Sequence, residues 1–419
     1  MKTDLKPGKV WDVVVIGGGP AGMMAAGRAA SRGKAVLLLE KNSTLGVKLL
    51  ITGGGRCNVT NNKTEVRTMV SKYKGNDQFL YSAFSQFSVK DALEFFNSRG
   101  MKTKEENEGR IFPLSNKAQS VWDVLANYMK EGGVQVRANV AVTDISVEKA
   151  TGQVHLRLSG GSIVLAKACV VATGGSSRPE TGSTGEGFKW LKKLGHTIIE
   201  NDFALVPLAL KDAWVKKLGG VTLPDIKLVT FQNGQRQEAA KGKLLFTHFG
   251  ISGPTVLNMS KEVGELLKYG EVVIMLDLFP KLDHGALKQQ LQTLLTTESN
   301  KKLKNVLSQL IPAALVTSLL EIAGVSGDTA NHSVRSEDRV KLVALMKAVP
   351  LNVKGLLGSD KAIVSSGGVA LPEVNFKTMQ SRLVPSIYIV GDVLNVDRPS
   401  GGYSLQLCWT TGFVAGNSV

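Results

Sequence analysis

Apolar positions near the N-terminus come in short unbroken runs. Val13–Ile16 and Val36–Leu39 are wholly apolar, and the Ala- and Met-rich segment Ala21–Ser31 lies between them. Such runs suit strands buried on both faces of a parallel sheet, and the segment between suits a helix. A βαβ unit of about thirty residues is therefore predicted. Further on, residues 76–131 read as mainly helical and Val134–Val142 as a strand. Val154–Leu158 and Ile163–Leu165 alternate like a hairpin about Gly160-Gly161, and Cys169–Ala172 returns to the buried type.

The texture changes near residue 195. Lys227–Phe231 and Gln235–Ala239 flank Asn233-Gly234, a type I′ hairpin signal. More strands are predicted at Lys243–Phe246, Val272–Leu278 and Ala362–Val364. Leu287, Leu291, Leu294 and Leu295 share one helical face, and Ser336 with Glu337 and Asp338 marks a helix start. Buried-strand texture resumes at Ile387–Val390. The predicted fold class is α/β: a split Rossmann-like domain (residues 1–195 and 371–419) interrupted by a β-rich, barrel-like domain (196–283 and 350–370) that carries a small helical unit (284–349).

Composition narrows the class. The chain has 419 residues, 43% hydrophobic and 21% charged, which fits a globular protein with a sizeable core. No apolar run reaches the roughly 18 residues of a spanning helix, so no membrane partner is expected. The N-terminus shows no signal-peptide pattern. Cys57, Cys169 and Cys408 form no C-x-x-C pair, and His196, His284 and His332 have no ligand spacing. The reading is therefore a cytoplasmic protein with no metal site. A net charge of +16 admits nucleic acid, but the positive residues are scattered and aromatics make up only 6%. The expected partner is a small-molecule substrate rather than nucleic acid. Nothing in the chain selects an oligomeric state.

Gly17-x-Gly19-x-x-Gly22 carries the first chemistry, with Pro20 and Ala21 opening the helix behind it. Gly17 permits a tight turn, Gly19 lets a pyrophosphate approach the helix amides, and Gly22 lets helix and strand pack. Glu40, ending the second strand, suits ribose hydroxyls and repels a 2′-phosphate. Lys41 beside it and Val140 complete the candidate residues on this side.

Two distal elements favour FAD over NAD. Gly391-Asp392 follows a buried strand and offers an acid for ribityl hydroxyls, and Gly402-Tyr403-Ser404-Leu405 opens a helix whose amides suit the N1–C2=O edge of a flavin. Ala172-Thr173-Gly174-Gly175 forms a third glycine-rich strand end. No second Gly-x-Gly-x-x-Gly follows a strand, so a nicotinamide cofactor, NAD(P)H, is expected at most as a transient reductant. Gly182–Gly187 is expected to line the flavin.

These motifs, with TGGGRCN (Thr52–Asn58), LFTHFGISGP (Leu245–Pro254) and VGDVLNVDRPSGGYSLQ (Val390–Gln406), resemble a bacterial NAD(P)/FAD-dependent oxidoreductase family. That family contains aminoacetone-oxidase-like and bile-acid-dehydro-reductase-like flavoproteins. The resemblance implies that the split domain binds FAD and that the loop carrying Gly54, Gly55, Arg56 and Cys57 runs along the flavin. It departs at Ser404, where the family's GGYN element has Asn. Lys48 is a candidate phosphate or flavin-edge contact. Arg56 suits a phosphate or a substrate carboxylate, Asn58 suits flavin or substrate, and His248 is the candidate proton donor. Cys57 reads as a small packing residue rather than a redox thiol.

The leading expectation is an FAD-dependent oxidoreductase passing hydride between flavin N5 and a small organic molecule. Amine oxidation with O2 and reduction of an enone C=C by NAD(P)H both fit. A flavin-dependent RNA-modifying enzyme and a non-catalytic redox-sensing flavoprotein are the alternatives.

Overall fold

The computed structural model describes residues 8–73, 76–177, 179–200, 205–357 and 367–419. The apolar runs form the expected strands. β1 spans Val10–Ile16, α1 spans Pro20–Ser31 and β2 spans Val36–Leu39. β1 lies between β2 and the strand Ile163–Val171, all three parallel. Ile387–Ile389 adds in parallel beyond Ile163–Val171, and Gln135–Arg137 adds beyond β2. The C-terminal segment thus completes a sheet that the N-terminal segment begins, so the Rossmann-like domain is split as expected.

Three local readings change. Ile163–Val171 absorbs two predicted strands: its first half pairs with the hairpin strand Val154–Leu158, and its second half runs between β1 and Ile387–Ile389. Its burial passes from alternating to continuous, which is why it read as two elements. Conversely, Val134–Val142 is broken into Gln135–Arg137 and a strand Val142–Val147. Between them Asn139 takes a left-handed φ of 58°, and Asn139 and Val140 donate to the carbonyls of Asn42 and Glu40. Residues 76–131 hold helices at Asp77–Gln86, Val89–Ser98 and Ala118–Glu131, but also a hairpin, Thr103–Glu106 with Arg110–Pro113, joined by Thr60–Asn61. Thr-Lys-Glu-Glu has no apolar period from which a strand could be read.

The C-terminal helix Tyr403–Ser418 packs against α1 almost backbone to backbone: a Cβ on Gly412 or Gly416 would lie 2.5 Å from the carbonyls of Ala21 or Ala25. Trp409, fully buried in the same helix, donates its indole N–H to the Val59 carbonyl at 2.9 Å and meets Phe96 edge-on. Trp409→Ala is expected to destabilise this core by about 3–5 kcal/mol. Calorimetry would show the loss as a lowered transition temperature, and an unchanged transition would contradict it.

Residues 205–357 contain a second architecture. Thr222–Gln232 and Gln235–Thr247 form the hairpin about Asn233 and Gly234, whose φ values of 47° and 79° give the expected turn. Lys243–Phe246 continues the second of these strands instead of forming another. With Val272–Asp277, Val349–Leu356, Leu208–Leu210 and Gly250–Ser252 they close an antiparallel barrel. The predicted strand Ala362–Val364 lies outside the described residues. His284–Thr297 buries Leu287, Leu291 and Leu295, and Ser336–Lys347 begins with Glu337 and Asp338 in its first turn. Contacts divide the chain into Met1–Phe203 with Ile363–Val419, and Ala204–Ala362. The pair Ile198–Glu200 and Gly367–Val369 groups with the first unit, because Val369 accepts from Asn395 and Thr197 accepts from Ala370.

Candidate functional site

β1 ends in the glycine turn. Gly17 has φ of 102°, and a Cβ there would fall 2.5 Å from the Ala172 carbonyl; one on Gly22 would fall 1.9 Å from the Gly17 carbonyl. Gly17 therefore serves the turn and Gly22 the packing of α1. Gly19 is different. It caps α1 at an ordinary φ of −77°, and a Cβ there would meet nothing within 4 Å. The space over the amides of α1 is open, which is what a pyrophosphate needs.

Glu40 is buried and spends both oxygens on backbone: Gly18 N–H donates to one at 2.7 Å and Asn42 N–H to the other at 2.8 Å. It thereby braces the turn while each oxygen keeps a lone pair. Lys41 reaches Thr184 at 2.7 Å and Glu186 at 2.8 Å, and Asn42 donates to the Thr181 carbonyl. The Gly182–Gly187 segment is thus tied to the residues that follow Glu40, and Gly182, Ser183 and Glu186 line the same cleft as Glu40.

Asp392 centres a second cluster. Arg398, its side chain almost fully buried, pairs with Asp392 and also donates to the Val396 carbonyl and, at 3.0 Å, to the Ser404 hydroxyl. Lys48 stands 3.5 Å from Asp392 and 2.8 Å from the Ser177 hydroxyl. Burial pushes the Asp392 carboxyl up, but Arg398 and Lys48 outweigh it and hold it below its ordinary range.

Both clusters border one cleft. Of the sequence candidates, Gly17, Gly19, Pro20, Ala21, Glu40, Lys41, Lys48, Val140, Ala172, Thr173, Gly174, Gly391, Asp392, Ser404 and Leu405 line it. Thr52 of TGGGRCN and Ser183 of the Gly182–Gly187 segment line it too, and so do Asn42 and Cys408, which no motif marked as ligand contacts. The open cradle over Gly19 fits a bound dinucleotide.

Other candidates lie elsewhere. Gly22 packs against the Gly17 carbonyl, and the buried Gly175 accepts from the Gly185 N–H. Gly54 and Gly55 are exposed at left-handed φ. Arg56 is bound by Glu106 at 2.5 and 3.2 Å and by Asn116, and it stacks on Phe112. Asn58 has a buried side-chain oxygen without a partner. Gly402 presses on the Thr60 backbone, and Tyr403 packs edge-on against Tyr73. His248 belongs to the second unit, between the strands ending at Thr247 and starting at Gly250. Among the described residues, no group of acidic, His and Cys side chains could hold a metal ion, and no helix is long and apolar enough to cross a membrane.

Cys57 is fully buried, and burial pushes its thiol up to about 12; Cys169 and Cys408 are raised further by the same cause. All three are expected to resist thiol reagents at neutral pH until the protein is denatured. Release of thiolate chromophore from the native protein would contradict that.

Comparison with known proteins joins the site to a family. The HI0933-like protein Rossmann domain matches residues 11–418. The chain belongs to the HI0933-like family. Among its HI0933-like relatives, the 3-dehydro-bile acid delta(4,6)-reductase of Clostridium scindens is 31% identical over 408 residues, covering 96% of this chain and 98% of the relative. The ribosomal RNA dihydrouridine synthase of Escherichia coli is also 31% identical over 408 residues, covering 96% of each. Of solved structures, a 3-ketosteroid delta1-dehydrogenase from Sterolibacterium denitrificans superposes with a TM-score of 0.55 at 14% identity, over 97% of this chain and 99% of that one. A 3-ketosteroid-delta4-(5alpha)-dehydrogenase from Rhodococcus jostii gives 0.54 at 14% identity, over 99% and 98%. At that identity the likeness is one of fold.

Proposed function

We infer that this FAD-dependent oxidoreductase reduces a carbon–carbon double bond conjugated to a carbonyl, with NAD(P)H as the transient source of electrons. The observation that carries the reading is the single cleft joining the Gly19 cradle and Glu40 to the Asp392 cluster, which suits the whole length of FAD. The names of the two relatives support the choice of reduction over amine oxidation. A delta(4,6)-reductase and a dihydrouridine synthase both add hydrogen across a C=C bond.

Bound FAD supplies hydride chemistry at its N5 atom. The chain supplies the rest. Asp392, kept ionised by its two cations, would hold the ribityl hydroxyls. The start of helix Tyr403–Ser418 would favour negative charge on the pyrimidine edge. Asn58 is assigned to orient flavin or substrate, and His248 is assigned the proton. His248→Ala is then expected to lower kcat about 100-fold while FAD content stays at the wild-type level; an unchanged kcat removes His248 from the chemistry.

Uracil is itself a conjugated C=C–C=O system, so a base within RNA is the second reading, favoured by the net charge of +16. One anaerobic experiment tests both. NADH or NADPH should bleach the flavin, and either a steroid enone or a uridine-containing ribosomal RNA fragment should restore its colour. No bleaching by nicotinamide, with rapid peroxide formation when chemically reduced enzyme meets O2, would overturn the reductase reading.

A further inference from the structure

Arg398 lies within the Val390–Gln406 motif without being a candidate cofactor contact, yet it is the most enclosed cation of the Asp392 cluster. Its guanidinium makes three separate commitments: to the Asp392 carboxylate, to the Val396 carbonyl at 2.5 Å and to the Ser404 hydroxyl at 3.0 Å. Its side chain is 1% exposed, against 14% for Asp392 and 23% for Lys48. Asp392, Ser404 and Lys48 line the cleft; Arg398 lies behind them.

Charges this enclosed are weakly screened, so each acts on whatever occupies the cleft. Two are positive and one is negative. We propose that Arg398 is a positioning residue that sets the reduction potential of the bound flavin. It does so by neutralising Asp392 and by holding Ser404 at the start of the C-terminal helix. The proposal rests on the flavin reading above. Reduction places negative charge on the flavin, so a cation at this site stabilises the reduced form and an uncompensated carboxylate opposes it. The geometry also gives Ser404 a purpose where the family's element has Asn: its hydroxyl accepts from the Arg398 Nε–H. A hydroxyl acceptor there fixes the guanidinium plane, which leaves the other nitrogens aimed at Asp392 and Val396.

The signs make this separable from a packing role. Arg398→Gln removes a positive charge, and the midpoint potential should fall. Asp392→Asn removes the negative one, and the potential should rise. The Arg398→Gln/Asp392→Asn double variant should return close to wild type. Arg398→Lys keeps the charge without the planar fork, so most of the potential should be retained even if FAD binds less tightly. The expected single-variant effect is a tenfold change in the binding of reduced relative to oxidised FAD, read as a shift of about 30 mV for a two-electron couple.

The measurement is a dye-coupled anaerobic titration of each purified holoprotein, with FAD content determined beforehand by extraction. Opposed shifts in the single variants, cancelling in the double, support the proposal. Equal potentials in wild type, Asp392→Asn and Arg398→Lys overturn it, even if Arg398→Gln fails to fold, because Asp392→Asn alone must move the potential upward. A wild-type protein that binds no FAD would instead remove the flavin reading beneath it.

Discussion

Gly19→Val is expected to give a folded but colourless protein. The residue sits at an ordinary φ with no atom within 4 Å of where its Cβ would stand, so the apoprotein has nothing to clash with. The same empty space is the approach to the amides of α1. A branched side chain there occupies the position of the pyrophosphate and covers the helix terminus. FAD binding should weaken at least about 100-fold, equivalent to roughly 2.7 kcal/mol, while the thermal transition of the apoprotein stays where it was. Gly22→Ala should behave in the opposite way. Its Cβ would lie 1.9 Å from the Gly17 carbonyl and 3.2 Å from the Ala172 Cβ, so α1 must move off the sheet. Overpacking of this kind costs about 1–3 kcal/mol or more, and the apoprotein itself should lose stability. FAD extraction and calorimetry on both variants check the pair. Two variants that lose colour and stability in step would show that the three glycines do one job, against the division drawn here.

That division also shows which part of the site the sequence made legible. Gly17, Gly19, Gly22 and Glu40 were readable because their roles depend on neighbours within one βαβ unit, where spacing alone places them. Asp392 was readable because an acid following a buried strand has a fixed place at the edge of a parallel sheet. The barrel hairpin was readable from Asn233-Gly234, since a two-residue turn is a local event.

Long-range partnerships were not legible. Arg56 reads as a free cation in TGGGRCN, but Glu106 and Asn116 occupy it from a hairpin that itself has no apolar period. The Arg56 hydrogen bond, helped by Lys104, holds the Glu106 carboxyl below the usual range. The clamp thus persists at neutral pH and weakens only as Glu106 protonates in acid. Arg398 was passed over because its value comes from Asp392 and Ser404, six residues to either side, and no periodicity encodes that triangle. Lys41 likewise gained a partner, Glu186, from a helix 145 residues away.

The other large effect is expected at Glu40, where even the smallest substitution should be costly. Glu40→Gln preserves shape and removes only charge, so it would be mild if the side chain merely met ribose. It does more than that. Gly18 N–H donates to one oxygen and Asn42 N–H to the other, and both are backbone donors that cannot reverse. A carboxamide offers one oxygen and one NH2 group, so one of the two amides must face another donor. The lost charge-assisted bond and the stranded amide are each worth about 1.5–3 kcal/mol. Because Gly18 is the middle of the glycine turn, the cost falls on the cradle itself. FAD affinity should drop about 100-fold in Glu40→Gln and by no less in Glu40→Ala, as read from the fluorescence of released flavin. If Glu40→Gln binds FAD like wild type while Glu40→Ala does not, the carboxylate acts on ribose alone and the bracing of the turn is unimportant. If both fail together, the residue that selects a free 2′-hydroxyl is also the one that builds the turn.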